Sequence, residues 1–145
     1  MPKFLHPVAG VVALATISLF WLSTAISELF LPNSDVVAVK TAIPWGFLLL
    51  VPALMAAGGS GLSLARGRRV GLIGVKLRRM PIIAANGLLV LMPAAFYLAW
   101  KAHAGAFDTN FYLVQAIEIV AGATNITLLG QNMRDGLKMR RPRPA

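Results

Sequence analysis

Residues 8–27 read VAGVVALATISLFWLSTAIS, and this stretch decides the fold because it contains no formal charge. At about 1.5 Å per residue, a helix of this length crosses the roughly 30 Å hydrocarbon core of a bilayer. The stretch does not alternate apolar and polar residues as a barrel strand would. It therefore predicts a transmembrane helix.

Three further apolar stretches follow the first. Those at 41–65 and 81–100 carry no charge, and the last, at 110–131, is interrupted only by Glu118. The composition excludes a water-soluble domain, because 57% of the 145 residues are hydrophobic and 13% are charged, against about 25% charged in soluble domains. We expect an all-α, four-transmembrane-helix bundle with short loops, a single integral membrane domain with spans at 7–30, 41–64, 81–100 and 110–131.

Basic residues are concentrated at one end of this predicted bundle. If the chain crosses four times, twelve of its fourteen lysines and arginines fall on one side. The positive-inside rule makes that side cytoplasmic, so we expect both termini to face the cytoplasm. A cleavable signal peptide over 1–25 is an alternative interpretation of the first span, and it leaves the orientation of the other helices unchanged.

The link between the second and third spans is strongly basic. We expect it to lie on the inner surface and to bind anionic lipid headgroups or dock a partner; an irregular loop whose charges serve only topology is the alternative. Its basic residues are Arg66, Arg68, Arg69, Lys76, Arg78 and Arg79. A second cationic segment is the tail at 134–145, and its last part, KMRRPRPA at 138–145, is predicted to be disordered. Because these blocks alternate with apolar stretches, they do not predict nucleic-acid binding.

Polar residues recur on one face of the fourth span. Gln115, Glu118 and Asn125 are separated by three and seven residues, with the small Gly122 on the same face. Hydrocarbon makes exposed polar groups costly, so we expect this face to point into the bundle. The opposite face, with Ile117, Ile119, Val120 and Leu128, is predicted to contact lipid.

The intramembrane carboxyl group of Glu118 needs a partner or a proton. Lys40, at the outer start of the second helix, is the available cation, and Glu28 competes for it. We expect Lys40 to pair with Glu28 and Glu118 to be neutral or hydrogen-bonded. Glu118, Gln115, Lys40 and Glu28 are thus the candidates for proton-linked chemistry, and a purely structural role for Glu118 is the alternative.

Asn86 and Asn125 are predicted to meet. Each lies a similar distance above the inner end of its helix, and the two helices run in opposite directions. We expect an interhelical hydrogen bond between the two amides, or from an amide to the neighbouring backbone, in a structural role.

The sequence contains no motif for catalysis or for a resident cofactor. It has no cysteine, and the two histidines, His6 and His103, are predicted at opposite sides of the bilayer and so cannot ligate one haem. No spacing resembles a zinc site, a phosphate-binding loop or a nucleophile with its base. We therefore predict no catalytic residue, no metal site and no enzymatic activity, and we expect haem or quinone only under the third hypothesis below.

Two stretches carry a family resemblance. RRMPIIAANGLLVLMPAAFYLAW at 78–100 and FYLVQAIEIVAGATNITLLGQNMRDGL at 111–137 resemble a class of small proteobacterial four-helix inner-membrane proteins without assigned activity. The resemblance covers the C-terminal half and contains no catalytic motif. It implies a location in the bacterial inner membrane.

Three functions follow as hypotheses. The sequence favours a non-catalytic scaffold or accessory subunit of a membrane complex, with lipid and another membrane protein or a second copy as partners. A small proton-linked transporter is the second hypothesis, in which Glu118 changes protonation and dimerisation completes the pathway. The third is the membrane anchor of a redox enzyme that binds quinone or haem beside His103 and Trp100.

Overall fold

A computed structural model describes residues 2–140, which form four long helices joined by short links. They are α1 (Pro2–Phe30), α2 (Asn33–Ala65), α3 (Gly71–His103) and α4 (Thr109–Arg140). Each helix is long and apolar enough to span a membrane. The predicted all-α architecture is therefore confirmed, and the fold is compatible with a multi-pass membrane protein.

The helices extend beyond the predicted spans at the basic end. α3 begins at Gly71 rather than 81, so Lys76, Arg78 and Arg79 are on a helix and not in a loop. α4 continues to Arg140, so the prediction of disorder is wrong for 138–140, and 141–145 lie outside the described residues. Long basic side chains extend from helix ends to water, and Lys138 and Arg140 also complement the helix dipole.

Tight links join the helices. Pro32 is extended and precedes α2 (φ −68°, ψ 162°), and Gly67 has a left-handed backbone (φ 76°) in the link 66–70. Gly105 provides the same conformation (φ 67°) between α3 and α4. Asp108 caps α4, because its Oδ1 accepts the Phe111 backbone N–H at 3.0 Å.

The helices form an antiparallel ring in chain order. α1 packs most extensively against α2 and also contacts α4, while α3 packs against α4 along much of its length. The second half of α3 packs on α2, but the first half makes far fewer contacts with it. A gap is therefore left between α2 and the first half of α3. The basic ends meet where Arg140 Nη2 donates to the Lys3 carbonyl at 3.4 Å.

Glycine permits the closest helix contacts. A Cβ added to Gly46 on α2 would overlap the Phe20 ring of α1, and one added to Gly122 on α4 would lie 2.8 Å from Trp21 Cδ1. Trp21 is further held by a hydrogen bond of 2.9 Å from Nε1 to the Ile119 carbonyl. Small residues thus bring α1 against both of its neighbours, as is common for helices packing in lipid.

A π turn at Gly87–Leu91 interrupts α3. The Met92 N–H donates to the Gly87 carbonyl, a step of five residues instead of four. The next residue, Pro93, lacks an N–H and crowds the preceding turn, which favours a local departure from α-helical bonding. The widened turn lies beside Asn86.

Candidate functional site

A buried ion pair lies in the half of the bundle remote from the basic end, and we call this half outer. Lys40 Nζ and Glu118 Oε2 are 2.6 Å apart, and their side chains are 1% and 11% exposed. Glu118 lies nine residues after the start of α4 at Thr109, or about 14 Å along the helix axis. The pair is therefore well below the outer end of the bundle.

The sequence prediction for this lysine is wrong. Lys40 pairs with Glu118 and not with Glu28, whereas the hydrogen bonding expected for Glu118 is present. The helical register explains the difference. About two turns into α2, Lys40 points across the bundle toward α4, where Glu118 faces it, while Glu28 lies in the last turn of α1.

Two polar side chains complete the contacts of the pair. Gln115 Nε2 donates to Glu118 Oε2 at 3.1 Å, and Lys40 Nζ donates to Thr24 Oγ1 at 3.4 Å. Gln115 is buried on the inward face of α4, as predicted. We name Lys40, Glu118, Gln115, Thr24 and Glu28 the outer cluster.

The outer cluster retains unused acceptors. Glu28 Oε1 and Gln115 Oε1 are both buried and have no hydrogen-bond partner among residues 2–140. Glu28 also lies near enough to Lys40 and Glu118 for their charges to act on it. Buried acceptors of this kind normally have a partner, so the cluster has room for a proton or another donor.

A central cavity adjoins this cluster. Its volume is about 400 Å³, within the range of small-molecule sites of about 300–1,000 Å³. Apolar side chains from all four helices form most of the wall, among them Phe47, Leu54, Leu88 and Trp21. Glu118 and Asn125 are polar members of the lining. The gap between α2 and the first half of α3 lies beside it.

Asn86 and Asn125 are in contact, as their matched depths predict. Asn86 Nδ2 donates to Asn125 Oδ1 at 2.8 Å and to the Ala121 carbonyl at 2.8 Å. Asn125 Nδ2 donates in turn to the Ile83 carbonyl at 3.3 Å, and Asn125 is 1% exposed. These bonds hold α3 to α4 immediately before the π turn.

The inward face of α4 is largely as predicted. Its buried residues are Phe111, Gln115, Ala121, Gly122, Asn125, Leu129, Asn132 and Asp135. On the opposite side, Ile117 and Val120 are exposed, whereas Ile119 and Leu128 are half-buried and not fully lipid-facing.

A second ion-pair network lies at the basic end and was not predicted. Arg79 Nη1 is 2.7 Å from Asp135 Oδ2 and 3.3 Å from Asn132 Oδ1, and the Asp135 side chain is 3% exposed. Arg134 Nε lies 3.5 Å from the other carboxylate oxygen. The signal was present, because Asp135 continues the α4 face three residues after Asn132.

The other basic residues of the predicted docking link separate into two groups. Arg66, Arg68, Arg69 and Arg78 are exposed, whereas Arg79 is engaged with Asp135. Lys76 is half-buried, with its Nζ directed at Gly136 of α4. Lipid or partner docking stays a prediction for the exposed arginines, and Arg79 serves helix packing.

The histidines occupy opposite ends of the bundle. His6 Nδ1 lies 3.0 Å from the Ala57 carbonyl and 3.2 Å from Ser60 Oγ, so it fastens α1 to α2 at the basic end. His103 is exposed at the end of α3. Among residues 2–140, no three His, Cys, Asp or Glu side chains are grouped as metal ligands.

Comparison of the chain with protein-family models, with curated proteins and with solved structures found no match.

Proposed function

We propose that this protein is a small proton-linked carrier of the bacterial inner membrane, with the outer cluster as its proton-binding centre. One observation carries the proposal: Glu118 both pairs with the buried Lys40 and lines the central cavity. A proton arriving at Glu118 is thereby placed beside the space in which a small molecule can bind.

The charge count of the outer cluster supports proton binding. It contains one lysine and two carboxyl groups, Glu28 and Glu118, whose charges act on each other. With all three ionised, the cluster has a net charge of −1, which is unfavourable in a low-dielectric setting unless it is compensated. One bound proton neutralises the cluster, and a cationic group of a substrate can replace that proton without leaving a net charge.

The lining of the cavity defines the class of substrate. Almost the whole wall is apolar, and the few polar groups are concentrated near Glu118 and Asn125. We infer a small, mainly apolar molecule with one polar or cationic group. The gap between α2 and the first half of α3 offers a route from the membrane.

Charge asymmetry supports an orientation with the basic end cytoplasmic and the outer cluster toward the opposite side. The resemblance of the C-terminal half to proteobacterial inner-membrane proteins supports the choice of membrane. A second copy of the chain is a possible partner if transport requires a dimer.

Reconstitution tests the carrier proposal. The chain is placed in vesicles that contain a pH-sensitive dye, a pH gradient is imposed, and ethidium is added as a lipophilic cationic probe. We expect the addition of ethidium to cause proton movement in vesicles with the unchanged protein. This proton movement should be lost in Glu118→Gln. Asp35→Asn, which removes an exposed acid of α2, should retain it.

Stability is measured in parallel. Glutamine keeps an acceptor for Lys40 and for Gln115, so Glu118→Gln should elute from a size-exclusion column as the folded protein does, while losing the counter-charge of Lys40 lowers its stability. Equal proton movement in Glu118→Gln and the unchanged protein would contradict the proposal. The proposal would also be contradicted if the unchanged protein moved no protons and Glu118→Gln differed from it only in stability.

A second candidate function is an accessory subunit of a membrane complex. Arg66, Arg68 and Arg69 favour it, because all three are exposed at the basic end and form no ion pair within residues 2–140. An acidic surface on a partner would fit them. Co-purification in mild detergent, compared with an Arg66→Gln/Arg68→Gln/Arg69→Gln variant, tests this role by showing whether one defined protein is lost.

A further inference from the structure

A second cavity lies at the basic end of the bundle, apart from the outer cluster. Its volume is about 450 Å³, and all four helices contribute to its wall. The interior is apolar, with Val11, Leu77 and Leu129 among its lining residues. Lys3, Lys76 and Arg140 also line it, and His6 lies on the α1 side.

The charges around this cavity are unbalanced. Among residues 2–140, no acidic side chain lines it. Asp135 is close in sequence to the lining residue Gly136, but its carboxylate is already bound by Arg79 at 2.7 Å and approached by Arg134 at 3.5 Å. The cationic groups of the lining are therefore available for an anion from outside the chain.

Lys76 shows this availability most clearly. Its side chain is half-buried, and its Nζ would lie 3.1 Å from a Cβ added to Gly136. The ammonium group is thus held against the backbone of α4 at the edge of an apolar cavity. It forms no ion pair within the part of the chain that the structure describes.

The geometry points to a binding site for an acidic phospholipid, with its phosphate among Lys3, Lys76 and Arg140 and acyl-chain carbons in the apolar interior. A cationic rim above an apolar space matches an anionic amphiphile, and basic clefts between helices at the cytoplasmic side are typical sites for such headgroups. The volume suits part of a lipid, in the range of about 300–1,000 Å³ for ligand sites.

The lipid has a route of entry. Gly58, Leu62, Leu77 and Met80 line both this cavity and the central one. These residues belong to α2 and to the first half of α3, where the two helices separate. An acyl chain can therefore enter from the bilayer between α2 and α3 while its headgroup stays at the interface. The site does not depend on proton transport by Glu118.

Lipid binding is measured on the full chain after purification in mild detergent and removal of bound lipid. Phosphatidylglycerol, phosphatidylcholine with the same acyl chains, and inorganic phosphate are titrated separately, and native mass spectrometry reports the occupancy. We expect saturable binding of phosphatidylglycerol, with much weaker binding of the other two.

Charge removal locates the site. Lys76→Gln/Arg140→Gln should weaken phosphatidylglycerol binding about 30-fold, since each basic group near an anionic headgroup contributes a few-fold to the affinity. Arg68→Gln/Lys138→Gln removes the same number of charges from exposed positions at the same end that do not line the cavity. This control pair should change affinity less than threefold, roughly the effect of a distant surface charge.

Two single variants distinguish loss of lipid binding from misfolding of the double variant. Arg140→Gln alone changes an exposed residue at the end of α4 and should still weaken binding, whereas Arg140→Lys should retain it. Equal losses in the two double variants would overturn the assignment. So would equal affinity for phosphatidylcholine, which would indicate an apolar site, or for inorganic phosphate, which would indicate a free-anion site.

Discussion

Lys40 is the most buried charged residue in the described part of the chain, with 1% of its surface exposed. An ammonium group in this position needs a hydrogen-bonded counter-charge, which Glu118 provides at 2.6 Å. Lys40 also donates a hydrogen bond to Thr24, and Glu118 accepts one from Gln115. The stability of the bundle and the proposed proton chemistry therefore depend on the same atoms.

A double-mutant cycle measures this dependence. Lys40→Met and Glu118→Leu should each destabilise the protein by about 3–5 kcal/mol, because each leaves the other charge buried without its partner. The double variant leaves no unpaired charge, so it should cost less than either single variant. Unfolding in mixed micelles provides the measurement, and additive costs would show that the two groups do not interact.

The Asn86–Asn125 contact supports a second prediction at this scale. Asn125→Ala removes the acceptor for Asn86 and the bond to the Ile83 carbonyl, and should cost about 1 kcal/mol. Thr124→Ala is the control, because Thr124 is exposed and bonds only the Val120 carbonyl of its own helix. A cost for Thr124→Ala as large as that for Asn125→Ala would contradict the interhelical role.

At the scale of elements, α1 and α2 approach closely because Gly46 leaves space for Phe20. Gly46→Ala should destabilise the hairpin by about 1–3 kcal/mol through overpacking. A Cβ added to Gly59 on the same helix meets nothing within 4 Å. Gly59→Ala should therefore be neutral or stabilise by up to about 1 kcal/mol, as alanine favours helix. Equal unfolding midpoints for the two variants would refute this account.

The stability contributed by Asp108 at the start of α4 should fall in acid. The hydrogen bonds from Lys101 and from the Phe111 N–H hold the pKa of the Asp108 carboxyl below its ordinary value. Because the folded pKa is the lower one, the contribution of Asp108 is fully present above the unfolded pKa and is lost as pH falls through the folded pKa.

Measuring the unfolding midpoint as the pH is lowered tests whether stability is lost in this direction. Between about pH 6 and about pH 2, where a carboxyl titrates, Asp108→Asn should flatten part of the decline in stability. Asn110→Ala, which changes a neighbouring residue without removing a carboxyl, should retain the decline. If the unfolding midpoint of Asp108→Asn depended on pH as that of the unchanged protein does, Asp108 would not contribute to the acid sensitivity.

At the scale of the whole molecule, the ends of the bundle differ sharply in charge. The ends of α1 and α4 meet at the basic end through Arg140 and Lys3, and the link 66–70 lies at that same end because the helices alternate in direction. This asymmetry is the basis for the proposed orientation.

Cysteine labelling tests the orientation without background, since the chain has no cysteine. Arg68→Cys and Arg140→Cys should react with a membrane-impermeant reagent from the cytoplasmic side, and His103→Cys should react only from the other side. Labelling of Arg68→Cys and Arg140→Cys from opposite sides would invalidate the four-helix topology. Labelling of both from the outside would invert the orientation and retain the fold.

Local patterns were sufficient for much of this molecule. Three uncharged stretches of spanning length and a fourth interrupted only by Glu118 predict the four helices, and steps of three and four residues predict the inward face of α4. Matched depth in antiparallel helices predicts that Asn86 and Asn125 meet. Each of these follows from residues on one helix, or from counting the rise along two helices.

Tertiary structure alone decided which acid binds Lys40, that Arg79 binds Asp135, and where the two cavities lie. Glu28 and Glu118 are both carboxyl groups within plausible reach of Lys40, and their linear positions do not distinguish them. The choice depends on how each helix is rotated about its axis and how far it is shifted along it. The close contacts of Gly46 with Phe20 and of Gly122 with Trp21 are part of the packing that sets these positions. Small rotations move a side chain from lipid to the interior, so sequence periodicity defines faces but not partners.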